Sequence, residues 1–228
     1  MFNTLDSRAL YRTDCYCQRF NKPGKYEYNV VPAFGSVFST TRPFCVIVKE
    51  SAGKPAADQH EVVVSERQGR FSVRTPELTI AAGDSVLWNS SQGGAIPFSL
   101  VSDHEFFNSS RMASESVYTH AFGLPGEVQW ADAHGSGLRG KVRVKDPCCK
   151  TEADVKRWQQ MLGEGVVVTI ADGEAAPSEL EIVCGQTVFF VVGKASGISV
   201  TDVSVLAGTR IPSDPCQCHE KAHASADA

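Results

Sequence analysis

Residues 126–144 carry the pattern that most restricts the fold of this chain. Val128 and Trp130 alternate with polar neighbours, as in a strand that buries one of its two faces. Three glycines between residues 135 and 140 then predict a tight loop, and residues 141–144 alternate again as a closing strand. The stretch therefore predicts two β-strands that are joined by a glycine-rich loop with one histidine.

This stretch resembles the copper-loop end of the cupredoxins, the family of plastocyanin and azurin. The resemblance extends upstream to residues 76–89, which look like the family's second and third strands with a turn at Gly83 and Asp84. Residues 107–122 precede the loop as they do in that family. The resemblance implies an all-β fold of Greek-key sandwiches and one complete cupredoxin-like domain at residues 69–146.

The resemblance also implies four copper positions, of which this chain fills one. A blue-copper site uses two histidines, a cysteine thiolate and a weak axial methionine. The second family histidine falls on His134, whereas the cysteine falls on Ala131 and the methionine on Leu138. The first histidine falls on Pro97 or Phe98. We interpret His134 as a loop histidine bonded to backbone or water, with a metal ligand as the alternative.

The same pattern recurs in two incomplete copies. Residues 1–50 resemble the second half of a cupredoxin domain, because residues 15–30 align in frame with residues 117–132. Residues 165–228 resemble the first half, followed by a tail that contains cysteine and histidine. The residues expected in the cores of these units are Trp88, Trp130, Phe122, Tyr28 and Phe20.

The predicted order is thus second half, whole domain, first half. A half sandwich would expose its inner face and its edges, so the two terminal halves should pair. Pairing within one chain gives a circularly permuted second sandwich, and pairing between chains gives head-to-tail self-association. A fragment of a longer array is the third interpretation. One helix is predicted at residues 151–163, as a packed connector that begins with a capping-box pattern.

Two Cys-x-Cys segments are the other candidate metal sites. Cys15 and Cys17 form the first segment. The cysteine and histidine ligands of the two segments are types that suit Cu(I) or zinc. The second segment and the histidines that follow it are Cys216, Cys218, His219 and His223. If the terminal halves join, four thiolates could converge at one metal. The alternatives are reduced surface thiols without any cofactor, or a chance disulfide.

Composition and missing motifs limit the function. A net charge of −4 provides no basic surface for nucleic acid, and no apolar run approaches a membrane span. The first residues lack a secretory pattern, so we expect a cytoplasmic or equivalent reducing compartment in which the eight cysteines stay mostly reduced. Common catalytic motifs do not occur.

The sequence therefore favours a non-enzymatic structural or interaction protein. Degenerate cupredoxin-like units would serve as a scaffold component with protein partners in a larger assembly. The alternative is a copper carrier or an electron-transfer partner that uses the terminal cysteines and histidines.

Overall fold

The computed structural model describes residues 4–33, 43–51, 57–90, 96–103, 106–195 and 197–208, which form an almost entirely β structure. The expectation of an all-β fold is confirmed. The first eight strands are β1 (Asp14–Arg19), β2 (Gly24–Pro32), β3 (Phe44–Lys49), β4 (Gln59–Arg67), β5 (Arg70–Val73), β6 (Glu77–Ala81), β7 (Ser85–Ser90) and β8 (Phe98–Ser102). The next eight are β9 (Ser116–Ala121), β10 (Gly126–Ala131), β11 (Arg139–Lys145), β12 (Val166–Ala171), β13 (Glu174–Ala176), β14 (Glu179–Val183), β15 (Thr187–Lys194) and β16 (Thr201–Asp202). The helices are α1 (Glu152–Gly163) and α2 (Val203–Leu206).

One large sheet is covered on one face by two small sheets. The large sheet has eight strands in the order β13-β12-β15-β9-β1-β7-β4-β5. The small sheets have the orders β6-β3-β2-β8 and β14-β11-β10-β16. Ring contacts join the layers: the centroids of Tyr28 and Trp88 lie 5.5 Å apart, and those of Trp130 and Phe190 also lie 5.5 Å apart. The core therefore lies between the large sheet and each small sheet, as in a β-sandwich.

The first set of strands, β1–β8, has the same arrangement as the second set, β9–β16. In the large sheet, β5-β4-β7-β1 corresponds to β13-β12-β15-β9, and the small sheets correspond strand by strand. The backbone N–H of Leu10 donates to Phe98 at 2.8 Å, and that of Met112 donates to Ile198 at 2.7 Å. Strands β1 and β9 pair in antiparallel fashion with Tyr16 opposite Tyr118, which joins the two sets into one sheet.

The expected grouping of the strands is not the one observed. Residues 14–49 pair with residues 77–102 of the expected central domain, and not with the strands that follow residue 165. The second part of the expected central domain pairs instead with later strands. Strand β9 pairs with β15, β10 with β16 and β11 with β14. The observed grouping avoids the long connection from residue 50 to residue 165 that pairing of the two terminal segments would require, which lowers the loop-closure cost slightly. Among the described residues, backbone hydrogen bonds join residues 5–7 of the N-terminal segment to residues 200–202.

The predicted helix is present. Thr151 caps α1, and its side chain and that of Asp154 form the expected capping box. The indole Nε1 of Trp158 donates to the carbonyl oxygen of Cys184 at 2.9 Å, which fixes α1 beside β14. The five aromatic residues expected in the cores, Phe20, Tyr28, Trp88, Phe122 and Trp130, are all buried, with at most 1% of their surface exposed.

Candidate functional site

The large sheet has an outer face, on the side away from the two small sheets. Side chains alternate along each strand, so every second residue of the large sheet points to this side. The registers place twelve of these residues in two rows across six strands. The first row is Glu61, Leu87, Cys17, Val117, Val191 and Thr169, and the second row is Val63, Asn89, Cys15, Thr119, Phe189 and Val167.

The outer face is largely apolar. Glu61, near one edge, is the one charged residue of the two rows. Val167 is 51% exposed, and the ring of Phe189 lies over Gly165, where an added Cβ would come within 2.3 Å of it. Within the described ranges, α1 contacts β14 and α2 contacts β10 and β16, which belong to a small sheet. Neither helix therefore forms a third layer over the outer face.

The two halves of the outer face differ in polarity. Through the strand registers, Glu61 of the first set corresponds to Val167 of the second, and Asn89 corresponds to Val191. At the end of β1, Arg19 corresponds to Ala121. Val63, which corresponds to Thr169, and Cys17, which corresponds to Thr119, change in the opposite sense. The same backbone thus carries a more polar surface in the first set and a more apolar one in the second.

Cys15 and Cys17 lie in the middle of the outer face. Burial raises the pKa of both thiols, and that of Cys17 to about 11, so both stay protonated at neutral pH. A metal binds the thiolate, so this environment disfavours coordination. The other predicted ligands, Cys216, Cys218, His219 and His223, lie outside the described residues, and the convergence of the two segments stays a prediction.

His134 lies in the exposed loop between β10 and β11. Its Nε2 is 2.8 Å from the carbonyl oxygen of Ser110. Asp132 fixes this loop, since its carboxylate accepts from the backbone N–H of Ser136 at 2.9 Å and of Ser199 at 2.7 Å. Burial opposes ionisation of Asp132, but these donors outweigh it and lower its pKa. Leu138, at the axial position of the resemblance, is 4% exposed in the core.

Copper-loaded protein is expected to lack the intense absorption of a blue-copper site. Ala131 stands where the resemblance to the cupredoxins would place a cysteine, so no thiolate is present there to form the coloured bond with copper. A Cu(II) titration followed by visible spectroscopy tests this, with an authentic cupredoxin as the positive control. A strong band in the blue-copper region that disappears on reduction would contradict the expectation.

A buried polar pair that the sequence did not predict lies where β1 meets β9. His120 Nδ1 is 2.6 Å from Asp14 Oδ1, and both side chains are fully buried. Asp14 Oδ2 also accepts from the backbone N–H of Tyr11 at 2.9 Å. Burial raises the pKa of Asp14, although the bond to His120 partly opposes this rise. Among the described residues, His120 Nε2 has no hydrogen-bond partner.

At the position that corresponds to His120 and Asp14 in the repeated arrangement of strands, the two paired side chains are neutral. Gln18 corresponds to His120 and Ser116 to Asp14, and Ser116 Oγ donates to Gln18 Oε1 at 2.8 Å. A histidine and a carboxylate can act as a general base, but this pair is sealed from any substrate in solution. The in-frame alignment of residues 15–30 with 117–132 places these residues at matching positions. It could not show that the members of each pair face one another.

Asp58, His60 and Asp84 form a second ionisable cluster. Their ligand atoms lie within 4.8 Å of one another, a spacing that could hold a metal ion. The Asp84 carboxylate is also held by backbone, because Oδ1 accepts from Asp58 N at 2.9 Å and Oδ2 from Ala81 N at 3.0 Å. At the corresponding position, the neutral amide of Gln186 accepts from Val183 N at 2.8 Å. The shared bond shows that this position serves the turn before the strand.

Comparisons of the chain with protein-family models, with curated proteins and with solved structures found no match. Among the residues that the structure describes, neither helix has the length and apolar character needed to cross a membrane. The outer face and the buried groups are therefore the features of this chain that bear on its function.

Proposed function

We propose that this chain is a non-enzymatic structural or interaction protein. It consists of two cupredoxin-like units in tandem, without a blue-copper ligand set, and serves as a scaffold component of a larger assembly. The observation that carries the proposal is the outer face, a sheet surface whose two central rows hold eight apolar residues and one charged residue and which the described elements leave uncovered. A large exposed apolar patch on a folded protein marks a binding surface.

The difference between the two halves gives a second argument. Glu61, Asn89 and Arg19 show that the backbone accepts polar side chains at these outer positions. The apolar residues at the corresponding positions of the second set are therefore not needed to fold the sheet. Binding explains their presence, because contact with a partner removes their surface from water.

The buried ionisable groups support a structural role. The pair of His120 and Asp14 links β9 to β1 at the point where the two sets join. Asp84 fixes the turn between β6 and β7 through hydrogen bonds to backbone N–H groups. Both clusters thus have a role in holding strands in place.

A variant with the polar residues of the first set transferred to the second tests the proposal. Val167→Glu, Val191→Asn and Ala121→Arg introduce the residues found at the corresponding positions, so we expect the variant to fold with little change in Tm. We expect the wild-type chain to elute with a high-mass assembly in native extracts of cells that produce it. The variant should elute at a much lower mass, because the transferred groups lose hydration on contact.

The matched control is Val63→Thr with Ser85→Thr, which transfers second-set residues to the more polar half and leaves Val167 and Val191 unchanged. This control should stay in the high-mass fraction. A folded triple variant that elutes with the assembly as the wild type does would overturn the proposal.

A further inference from the structure

We infer that the partner on the outer face is a second copy of this chain, stacked face to face across a two-fold axis. The inference rests on the proposed function, since it names the occupant of the same face. Three properties of the face support this occupant: its size, the arrangement of its rows and its charge.

The size of the face is that of a specific dimer interface. The six strands that carry the two rows, at a spacing of about 4.8 Å, give a width of about 29 Å, and strands of about five residues give a depth of about 17 Å. Each copy would therefore cover about 490 Å², and the pair about 1,000 Å², which is the least area expected of a specific protein interface. Sheets that stack in this way lie about 10 Å apart with their strands crossed by about 30°.

The rows suit a contact between identical faces. A two-fold axis that runs across the strands places the first row of one copy on the second row of the other, so the second sets meet one another. Val191 then meets Phe189, and Thr169 meets Val167, in both directions, as an isologous contact requires. Cys17 lies opposite Cys15 of the other copy near the middle of the contact.

Charge permits this contact. The chain carries a net charge of −4, but the positions at the centre of the stacked rows are neutral. Glu61 lies at the rim, in the more polar half, where water still reaches its carboxylate. Two copies therefore meet without like charges at the centre of the interface, where repulsion and desolvation would oppose binding most.

The test uses purified full-length chain and measures its mass by light scattering over a concentration series. We expect the mass to rise from 24.6 kDa towards twice that value as the concentration increases. The triple variant Val167→Glu, Val191→Asn, Ala121→Arg should stay at 24.6 kDa, and the control Val63→Thr, Ser85→Thr should behave as the wild type does.

The free thiols of Cys15 and Cys17 report which surface is covered. Their alkylation by N-ethylmaleimide, followed by peptide mass spectrometry, should slow about tenfold when nine-tenths of the chain is dimeric, because only the monomer leaves these partly buried thiols open to solvent. The exposed thiols of Cys148 and Cys149 serve as internal references, with rates that do not depend on concentration. In the triple variant, the rates at Cys15 and Cys17 should also be independent of concentration.

Three results would overturn the inference. A mass of 24.6 kDa at every concentration excludes the second copy, and the proposed function survives if the wild type still enters the high-mass fraction of extracts. A dimer that leaves the alkylation of Cys15 and Cys17 unchanged places the contact elsewhere. A dimer that the folded triple variant still forms also removes the outer face from the contact, and it counts against the proposed function as well.

Discussion

Replacing Asp14 with serine is expected to lower the free energy of unfolding by about 1–3 kcal/mol, the usual cost of leaving a buried polar group without its hydrogen-bond partner. The substitution takes away the acceptor that lies 2.6 Å from His120 Nδ1. Because His120 Nε2 already lacks a partner among the described residues, the whole imidazole would lose its hydrogen bonds in the core. Urea denaturation followed by circular dichroism measures the loss.

The double variant Asp14→Ser, His120→Gln should recover most of this stability, to within about 1 kcal/mol of the wild type. It copies the pair of Ser116 and Gln18, which the structure accommodates at the corresponding position with a 2.8 Å hydrogen bond. The two single variants and the double variant form a mutant cycle that gives the coupling energy. A double variant that is no more stable than Asp14→Ser would show that the two positions do not act as a unit.

The local structure could be predicted from the sequence because it depends on neighbouring residues. The alternation around Trp130 predicted β10, and the capping pattern at Thr151 predicted the start of α1. The in-frame match of Phe20 with Phe122 reflects strands β1 and β9, which occupy corresponding places in the large sheet. These signals act within a few residues, so no knowledge of distant pairing was needed.

The pairing of distant strands could not be predicted. The segments β1–β3 and β9–β11 have similar inner faces. On pattern alone, each of them could pair with β6–β8 or with β14–β16. The resemblance favoured the family's chain order, which combined residues 77–102 with residues 116–145. The structure instead pairs each segment with the strands that follow it along the chain.

The outer face depends on the same distant pairings. Cys15 and Cys17 were singled out as soft metal ligands, because spacing and residue type are visible in the sequence. Their place beside Val117 and Leu87 requires the registers of β1 with β9 and β7. The polar pair of Asp14 and His120 is equally invisible until the register brings residues 106 positions apart to face each other.

Packing around Trp130 also depends on a cross-strand neighbour. Trp130 lies opposite Gly140, and a Cβ at Gly140 would come within 2.7 Å of the indole ring. At the corresponding place in the first set, the smaller Tyr28 lies opposite Phe44. The glycine thus makes room for the larger ring, a complementarity that the loop-like pattern of residues 135–140 did not reveal.

Trp130→Ala is therefore expected to lower the free energy of unfolding by about 3–5 kcal/mol, as for other large-to-small changes at buried aromatic residues. Trp130 is 1% exposed and its ring contacts Phe190 edge-on at 5.5 Å. Since Gly140 has no side chain to move into the space, the variant keeps most of the cavity. Thermal and urea unfolding measure the loss.

His134→Ala is the matched variant in the loop that follows the same strand. His134 is exposed and would lose its contact with the carbonyl oxygen of Ser110, which should cost about 1 kcal/mol or less. The packing explanation requires Trp130→Ala to be the more damaging change by several fold. If His134→Ala were the more damaging one, stability would depend on the loop more than on the Trp130 core, and His134 would have to be reconsidered as a ligand.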